Sequence, residues 1–453
     1  RAPGPGPRRV RPPGPGRLLP LEELEALRDD PLDGLIKIAA RYGDLFTYPI
    51  ALQTIYVLNH PDYIAHVLVT NQRNYSKDTF QFNLLKTVAG NGLLSSDGEV
   101  WRKQRRLIQP GFHHSRLVRL GPIAEAASQR MMGRWAPHLD RGEPLDVEQE
   151  MLRLALEILG EALFSNDMGG QAEVITGAVV EALDHIVFRA RHPLTPPAWV
   201  PTRRNRRFQH ALLTLDAAVA RLLAQRRRAA NPPDDLLTMM LGARDAETGE
   251  PMSDTQLRDE IDTLLIAGHE TVASALTWTW HLLATHPAAW HELQDELATV
   301  LGGRPPTLDD LERLPYTRAV FDEAMRLYPP NWIITRRAEE PDEIGGYRVD
   351  AGGLVLVSPY LIQRHPEFWA RPNTFDPTRF LPGATRPGKH TYVHFGAGPR
   401  LCIGRHFSLI EGPLVIAAVA QQVRFTALQP QVAVEALVTL RPRDGLWMRA
   451  SRR

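Results

Sequence analysis

One thiol serves all 453 residues, so the chain cannot be cross-linked to itself and must hold its fold by core packing, helix contacts and ion pairs. That thiol, Cys402, sits in Phe395-Gly396-Ala397-Gly398-Pro399-Arg400-Leu401-Cys402-Ile403-Gly404. This glycine-punctuated loop feeds an apolar run with helical spacing (Ile403, Phe407, Leu409, Ile410, Leu414, Val415). A free thiol ionises at about pH 8.5 and becomes a ligand or nucleophile only where a positive environment or a metal favours the thiolate. A helix starting at Ile403 would offer unpaired N–H groups and the positive end of its dipole. The alternative for a lone cysteine is a buried structural thiol.

With 43 % hydrophobic residues the chain can bury a large core. Its net charge of +1 argues against nucleic acid as a partner, because the arginines scatter along helical stretches instead of forming one block. No run of about 18 apolar residues offers a transmembrane helix or a signal-peptide core. The expectation is a cytoplasmic monomer with at most peripheral membrane contact. Residues 1–17, almost all Arg, Pro and Gly, predict an arm without regular structure, and residues 18–453 a single domain.

Alternating strand-like runs occur at Leu45-Phe46-Thr47-Tyr48, at Ile55-Tyr56-Val57-Leu58 and over residues 354–357; nearly everything between them reads as helix. The best-punctuated helix opens at Ser253-Asp254-Thr255-Gln256, a capping-box pattern, and keeps its periodicity to His286, ahead of Pro287. Further helices are expected over about residues 288–301, stopped by Gly302-Gly303, and 317–327, stopped by Pro329-Pro330. Midway along the long helix, Ala267-Gly268-His269-Glu270-Thr271 contains a glycine that costs about 1 kcal/mol against alanine and therefore needs a reason. The Thr271 hydroxyl can bond back to the carbonyl of residue 267, loosening the helix and opening a groove for water or dioxygen. An ordinary bent core helix would look the same. Glu323 and Arg326 lie three apart on one helical face, and Trp101-Arg102-Lys103-Gln104-Arg105-Arg106 is the densest basic run; solvated helix faces would also explain both.

Phe395, Gly398, Arg400, Cys402 and Gly404 fill every fixed position of Phe-x-x-Gly-x-Arg-x-Cys-x-Gly, and here the chain resembles the cytochrome P-450 family. The resemblance continues through four blocks, in the family's order, between residues 97 and 412. It implies a mainly α fold with a minor β domain, a triangular prism with haem b between the long central helix and the cysteine loop. Cys402 would be the axial metal ligand, a thiolate that favours O–O cleavage. Glu270 and Thr271 match the acid–alcohol pair that relays protons to the reacting oxygen, while Val272 stands where many members carry a second hydroxyl. Trp101, Arg105, Arg336, His394, Phe395, Arg400 and Gly404 are the implied haem contacts, the cations among them meeting propionates, with Arg336 preferred to Arg337 on spacing. Glu323, Arg326 and Arg379, the last from Phe375-Asp376-Pro377-Thr378-Arg379-Phe380, match a buried structural triad.

Within the family, residues 267–280, 327–337 and 409–413 look like the soluble bacterial enzymes that hydroxylate the β-ring of carotenoids. The resemblance thus implies a carotenoid such as β-carotene as substrate, with fatty acid or terpenoid hydroxylation as alternatives. Pro330, Trp332, Ile333 and Ile334 would form a wide apolar wall; Phe80, Phe82, Leu85, Val88, Leu265, Ala267, Leu446 and Trp447 are further pocket positions by the family layout. Residues 193–201 would join two helices roofing the pocket and could dip into a membrane interface. Electrons are expected from outside, from a ferredoxin with its reductase, docking on cations such as Lys103, Arg386, Lys389 and Arg405. A haem-thiolate isomerase or a haem-binding sensor is the alternative from another class, though neither needs the Glu270-Thr271 pair.

Overall fold

The computed structural model describes residues 10–15, 27, 30–50, 53–192, 194–385 and 387–453. Packing divides the chain into two units. Arg1–Asn83, Asn331–Thr374 and Pro387–Cys402 make up the first; Leu84–Pro330, Phe375–Arg386 and Ile403–Arg453 make up the second.

A mixed five-stranded sheet organises the first unit, in the order Leu45–Ile50, Gln53–Leu58, Leu354–Val357, Ile334–Ala338, Tyr75–Ser76. The central Leu354–Val357 runs parallel to Gln53–Leu58 and antiparallel to Ile334–Ala338, with Ile334 opposite Val357. Ile55, Tyr56, Val57 and Leu58 are buried without a break. The alternation expected there is absent because an interior strand covered on both faces needs apolar side chains on both. One core cluster joins Tyr56, Leu58, Leu68, Ile334, Val355 and Val357 to Val393 and Ala397 of the cysteine loop, so the burial that holds the sheet also anchors that loop. Of the arm expected over residues 1–17, residues 10–15 are tied down: the Thr47 amide donates to the Pro13 carbonyl (2.8 Å) and the Arg348 amide to that of Val10 (3.1 Å). The remainder of the arm lies outside the described residues.

Helices dominate the second unit. Asp254–Thr285 runs for 32 residues from a Ser253 cap whose hydroxyl accepts from the Gln256 amide (3.1 Å), as the sequence predicts. It packs most extensively on Val147–Phe164 and also meets Pro315–Leu327 and Arg405–Ala420. From Asp259 to Leu283 every residue is buried except Ala267, Gly268 and Thr271. Pro287–Leu301 stops at Gly302, whose φ of +58° is left-handed, and Pro315–Leu327 ends where expected. The helix expected from Ile403 begins at Arg405 instead, because Ile403 and Gly404 complete the turn out of the cysteine loop. The unit's strands form a three-stranded sheet in the order Pro144–Asp146, Trp447–Arg452, Val423–Ala427, and a hairpin of Val434–Ala436 with Leu440–Pro442. The architecture is mainly α with a minor β part. Among the described residues no helix is long and apolar enough to cross a membrane.

Candidate active site

Cys402 is exposed at the end of a tightly closed loop. Its amide donates to the Phe395 carbonyl (2.9 Å), the Leu401 amide to Gly398 (3.0 Å) and the Gly396 amide to Val393 (2.7 Å). Gly398 has a φ of +65°, and a Cβ there would lie 2.1 Å from the Leu68 carbonyl oxygen. Its glycine is therefore demanded by the first unit's own backbone. Gly404, with φ −82°, adopts a conformation open to any residue. The buried His394 ring lies against Phe395 and Tyr392, with centroids 4.1 and 4.3 Å away. The amides of Val393 and His394 both donate to Oε1 of the fully buried Gln363 at 3.1 Å. Gln363 thus holds the loop's entry, and no local pattern announced it. Arg336 is buried, its Nη1 donating to the Thr335 carbonyl (2.8 Å), whereas Arg337 is exposed and paired with Asp78 (2.6 Å). Arg400 is half-buried.

In the second unit, the Thr271 hydroxyl donates to the Ala267 carbonyl at 2.7 Å, as its position predicts. Thr277 and Thr279 bond back in the same way at 2.7 Å, and Thr285 at 2.8 Å, so the bond alone does not single Thr271 out. Exposure does. Thr277 and Thr279 are fully buried, while Ala267, Gly268 and Thr271 share one open stripe at i, i+1 and i+4 of a buried helix. A Cβ on Gly268 would sit 2.0 Å from Leu159 Cδ1, so this glycine admits the Val147–Phe164 helix at close range. Glu270 is 3 % exposed, and burial pushes its carboxyl up to about 7. Arg441 Nη1 lies 3.9 Å from Glu270 Oε1, beyond hydrogen-bond reach. The strand bearing Arg441 is fastened to the long helix through the Leu440 carbonyl, which accepts from Ser274 Oγ (2.7 Å) and Trp278 Nε1 (3.0 Å). The buried His269 bonds the Leu265 carbonyl through Nδ1, and burial holds its imidazole down to about 4.

Glu323 and Arg326, both fully buried, make a two-pronged pair: Nε to Oε2 at 2.6 Å and Nη2 to Oε1 at 2.8 Å. The Asp376 amide donates to the same Oε1 (2.9 Å), and Arg379 Nε lies 3.4 Å from it. On the helix Gly98–Ile108, Trp101 and Arg105 are both partly exposed, and Arg105 Nε donates to Gln109 Oε1 (3.1 Å). The basic run does not act as a block: Arg102 pairs with Glu99, Lys103 with Glu250 (3.3 Å) and Arg106 with Asp245 (3.2 Å).

Among the expected pocket positions, Phe82, Leu85, Val88, Leu265, Pro330, Trp332, Ile334 and Leu446 are buried, Ala267 and Ile333 partly exposed, and Phe80 and Trp447 each 53 % exposed. Later in the 267–280 block, Trp278 stacks on Tyr328 (centroids 4.1 Å apart) and Trp280 Nε1 meets the Met151 sulfur at 3.3 Å, so both indoles are core. Lys389 and Arg405 are exposed; Arg386, and Pro193 of the 193–201 connection, lie outside the described residues.

Residues 12–443 match the family profile described as Cytochrome P450. The chain is 37 % identical over 425 residues to cyclooctatin synthase of Streptomyces melanosporofaciens, covering 90 % of this chain and 89 % of that relative. It is 34 % identical over 416 residues to pentalenene oxygenase of Streptomyces avermitilis, covering 90 % of each. Identity to Protein LUTEIN DEFICIENT 5, chloroplastic, of Arabidopsis thaliana is 30 % over 445 residues, covering 92 % of this chain and 74 % of the relative. With the chain's one thiol exposed in the loop and this match over nearly its whole length, the chain belongs to the cytochrome P450 family, monooxygenases that carry haem b on an axial cysteine thiolate.

Proposed function

We propose that the chain hydroxylates a cyclic isoprenoid hydrocarbon of the terpenoid class, with electrons delivered by a separate ferredoxin and its reductase. Family membership entails a lipophilic substrate, dioxygen and an electron donor. The observation that carries the narrower reading is identity of 37 % and 34 %, along nine-tenths of the chain, to the terpenoid-oxidising cyclooctatin synthase and pentalenene oxygenase.

The residues present fit haem b. Cys402 is the one thiol of the chain, and it is exposed, as a ligand has to be. It would hold the iron, and within the same unit His394, Arg400 and the buried Arg336 would meet the propionates; Arg337 is already committed to Asp78. Bound through a thiolate, haem b supplies the activation of dioxygen. The chain's own part is proton handling and shape. The Glu270 carboxyl can hold a proton near neutral pH, and the Oγ of the partly exposed Thr271 can pass one on. A hydrocarbon binds by burial of apolar area without needing a salt bridge; of the expected wall Ile333 is partly exposed, whereas Trp332 and Ile334 are buried, Ile334 in the core cluster. Leu194 and Trp199, 99 % and 81 % exposed, precede the exposed Arg203, Arg204, Arg206 and Arg207, a combination suited to peripheral contact with an anionic membrane that stores such substrates.

Ring hydroxylation of β-carotene is the second reading, favoured by the similarity to LUTEIN DEFICIENT 5. The resemblance of block 267–280 lends it less support, because Ser274, Trp278 and Trp280 are 5 %, 0 % and 0 % exposed and serve packing. Titrating haem-loaded protein with a polycyclic terpene hydrocarbon, β-carotene and a long-chain fatty acid, and following spin state and product, tests the choice. A terpene-induced shift with hydroxylated product is expected. A response to β-carotene alone would install the carotenoid reading, and one to the fatty acid alone would end the isoprenoid reading altogether.

A further inference from the structure

Glu270 belongs to a buried charge cluster whose members come from distant parts of the second unit. Arg441, 9 % exposed, supplies the guanidinium. Its Nε donates to Glu148 Oε1 at 2.5 Å, whereas its Nη1 stands 3.9 Å from Glu270 Oε1. Asp184, half-buried on the helix Ala172–Arg191, feels the same guanidinium together with Glu181, Glu435 and Arg204. Glu435 stands opposite Arg441 in the two-stranded ladder. Asp146 acts on Glu148, Thr439 faces Glu270, and the neutral His269 also senses Arg441.

Three carboxyl groups, Glu148, Asp184 and Glu270, therefore share one guanidinium. Fully ionised, the buried Glu148 and Glu270 would share Arg441 with Asp184, which Arg204 also serves, and would leave negative charge uncompensated in a region of low polarisability, which is costly. Burial accordingly raises all three. The contacts differ in kind. Glu148 holds a short charge-assisted bond, so it keeps the ionised form best; Glu270 has a distant cation and the neutral Thr439 hydroxyl.

We propose that Arg441 is a positioning residue for proton delivery: committed through Nε to Glu148, it leaves Glu270 as the loosely held carboxyl of the cluster, able to pass its proton towards Thr271 and to be reloaded through half-buried Asp184. This rests on the role of Glu270 and Thr271 proposed above. When a proton leaves Glu270, the carboxylate formed is steadied by Arg441; a proton taken from water at Asp184 restores the charge balance.

Two neutral substitutions should act in opposite directions. Glu148→Gln removes a like charge and frees the guanidinium for Glu270, which then ionises at lower pH; Arg441→Gln removes the cation, so Glu270 ionises at higher pH. In haem-loaded protein, difference infrared spectroscopy follows the Glu270 C=O stretch against pH, identified by its loss in Glu270→Gln, while product formed per reduced cofactor is measured over the same range. The two midpoints are expected to move together, by about one pH unit, down in Glu148→Gln and up in Arg441→Gln. Arg441→Lys keeps the charge and should stay near wild type, which covers the case in which the neutral variant does not fold. Midpoints that stay in place, or move the same way in both variants, overturn the positioning role. If Glu270→Gln couples like wild type the relay itself fails; if it uncouples while the midpoints stay unmoved, only the role of Arg441 fails.

Discussion

Glu323 and Glu270 are both carboxyl groups buried on helices of the same unit, 0 % and 3 % exposed, yet their surroundings differ in kind. Glu323 takes two bonds from Arg326 and one from the Asp376 amide, with Arg379 at 3.4 Å. Glu270 has a single cation at 3.9 Å, and that cation is bonded to Glu148. Burial pushes both carboxyls up; at Glu323 two guanidiniums and an amide pull back, while at Glu270 Arg441 and Thr439 pull back against the like charges of Asp184 and Glu148, and burial carries it to about 7. Burial alone does not say what a carboxyl is for. A saturated one is a strut held by its bonds, and an under-served one can change protonation at neutral pH.

The largest expected effect breaks the strut. Glu323→Ala strands Arg326 and Arg379, at a cost of about 3–5 kcal/mol out of a net stability of roughly 5–15 kcal/mol. Little haem-loaded protein should accumulate; normal yield, haem content and melting temperature would show that the pair carries no such load. Glu270→Gln sharpens the other side. The folded pKa of Glu270 is raised from 4.5 to about 7, so its contribution to stability is present below 4.5 and lost as pH rises through 7. Denaturant titrations should show wild type losing on the order of 3 kcal/mol relative to Glu270→Gln across that window. Parallel stability curves would mean that the group ionises in the folded chain as it does in water.

Two smaller effects test what makes Thr271 different from its neighbours. Thr271→Ala should cost about 1 kcal/mol of stability or less while sharply lowering product per reduced cofactor and raising peroxide. An unchanged ratio would remove the hydroxyl from proton handling. Thr277→Ala deletes the same back-bond in a fully buried position, so it should cost about 1 kcal/mol and leave coupling unchanged. Equal uncoupling in both variants would mean that helix loosening matters and exposure does not.

Much of the second unit was legible in the chain itself. The Ser253 cap, the helix ends at Gly302 and Leu327, the Thr271 back-bond and the pairing of Glu323 with Arg326 all close within a few residues, so local spacing reports them. Local spacing also misled. The cysteine helix starts two residues later than the apolar run suggests, since the run continues through a turn. The basic run at residues 102–106 looked like a patch, but acids remote in sequence, Asp245 and Glu250, neutralise half of it.

Sequence by itself determined the family and its one thiol, and placed Glu270 beside Thr271, because each is written in side chains whose spacing along a loop or helix is local. Only the tertiary structure decided why Gly268 and Gly398 are glycines, what clasps the cysteine loop and which cation serves Glu270. Leu159, Leu68, Gln363 and Arg441 carry no local signature, and Arg441 lies 293 residues from the Glu148 it bonds. Contacts across such separations form only when the core brings the chain together, since burial is indifferent to distance along the sequence.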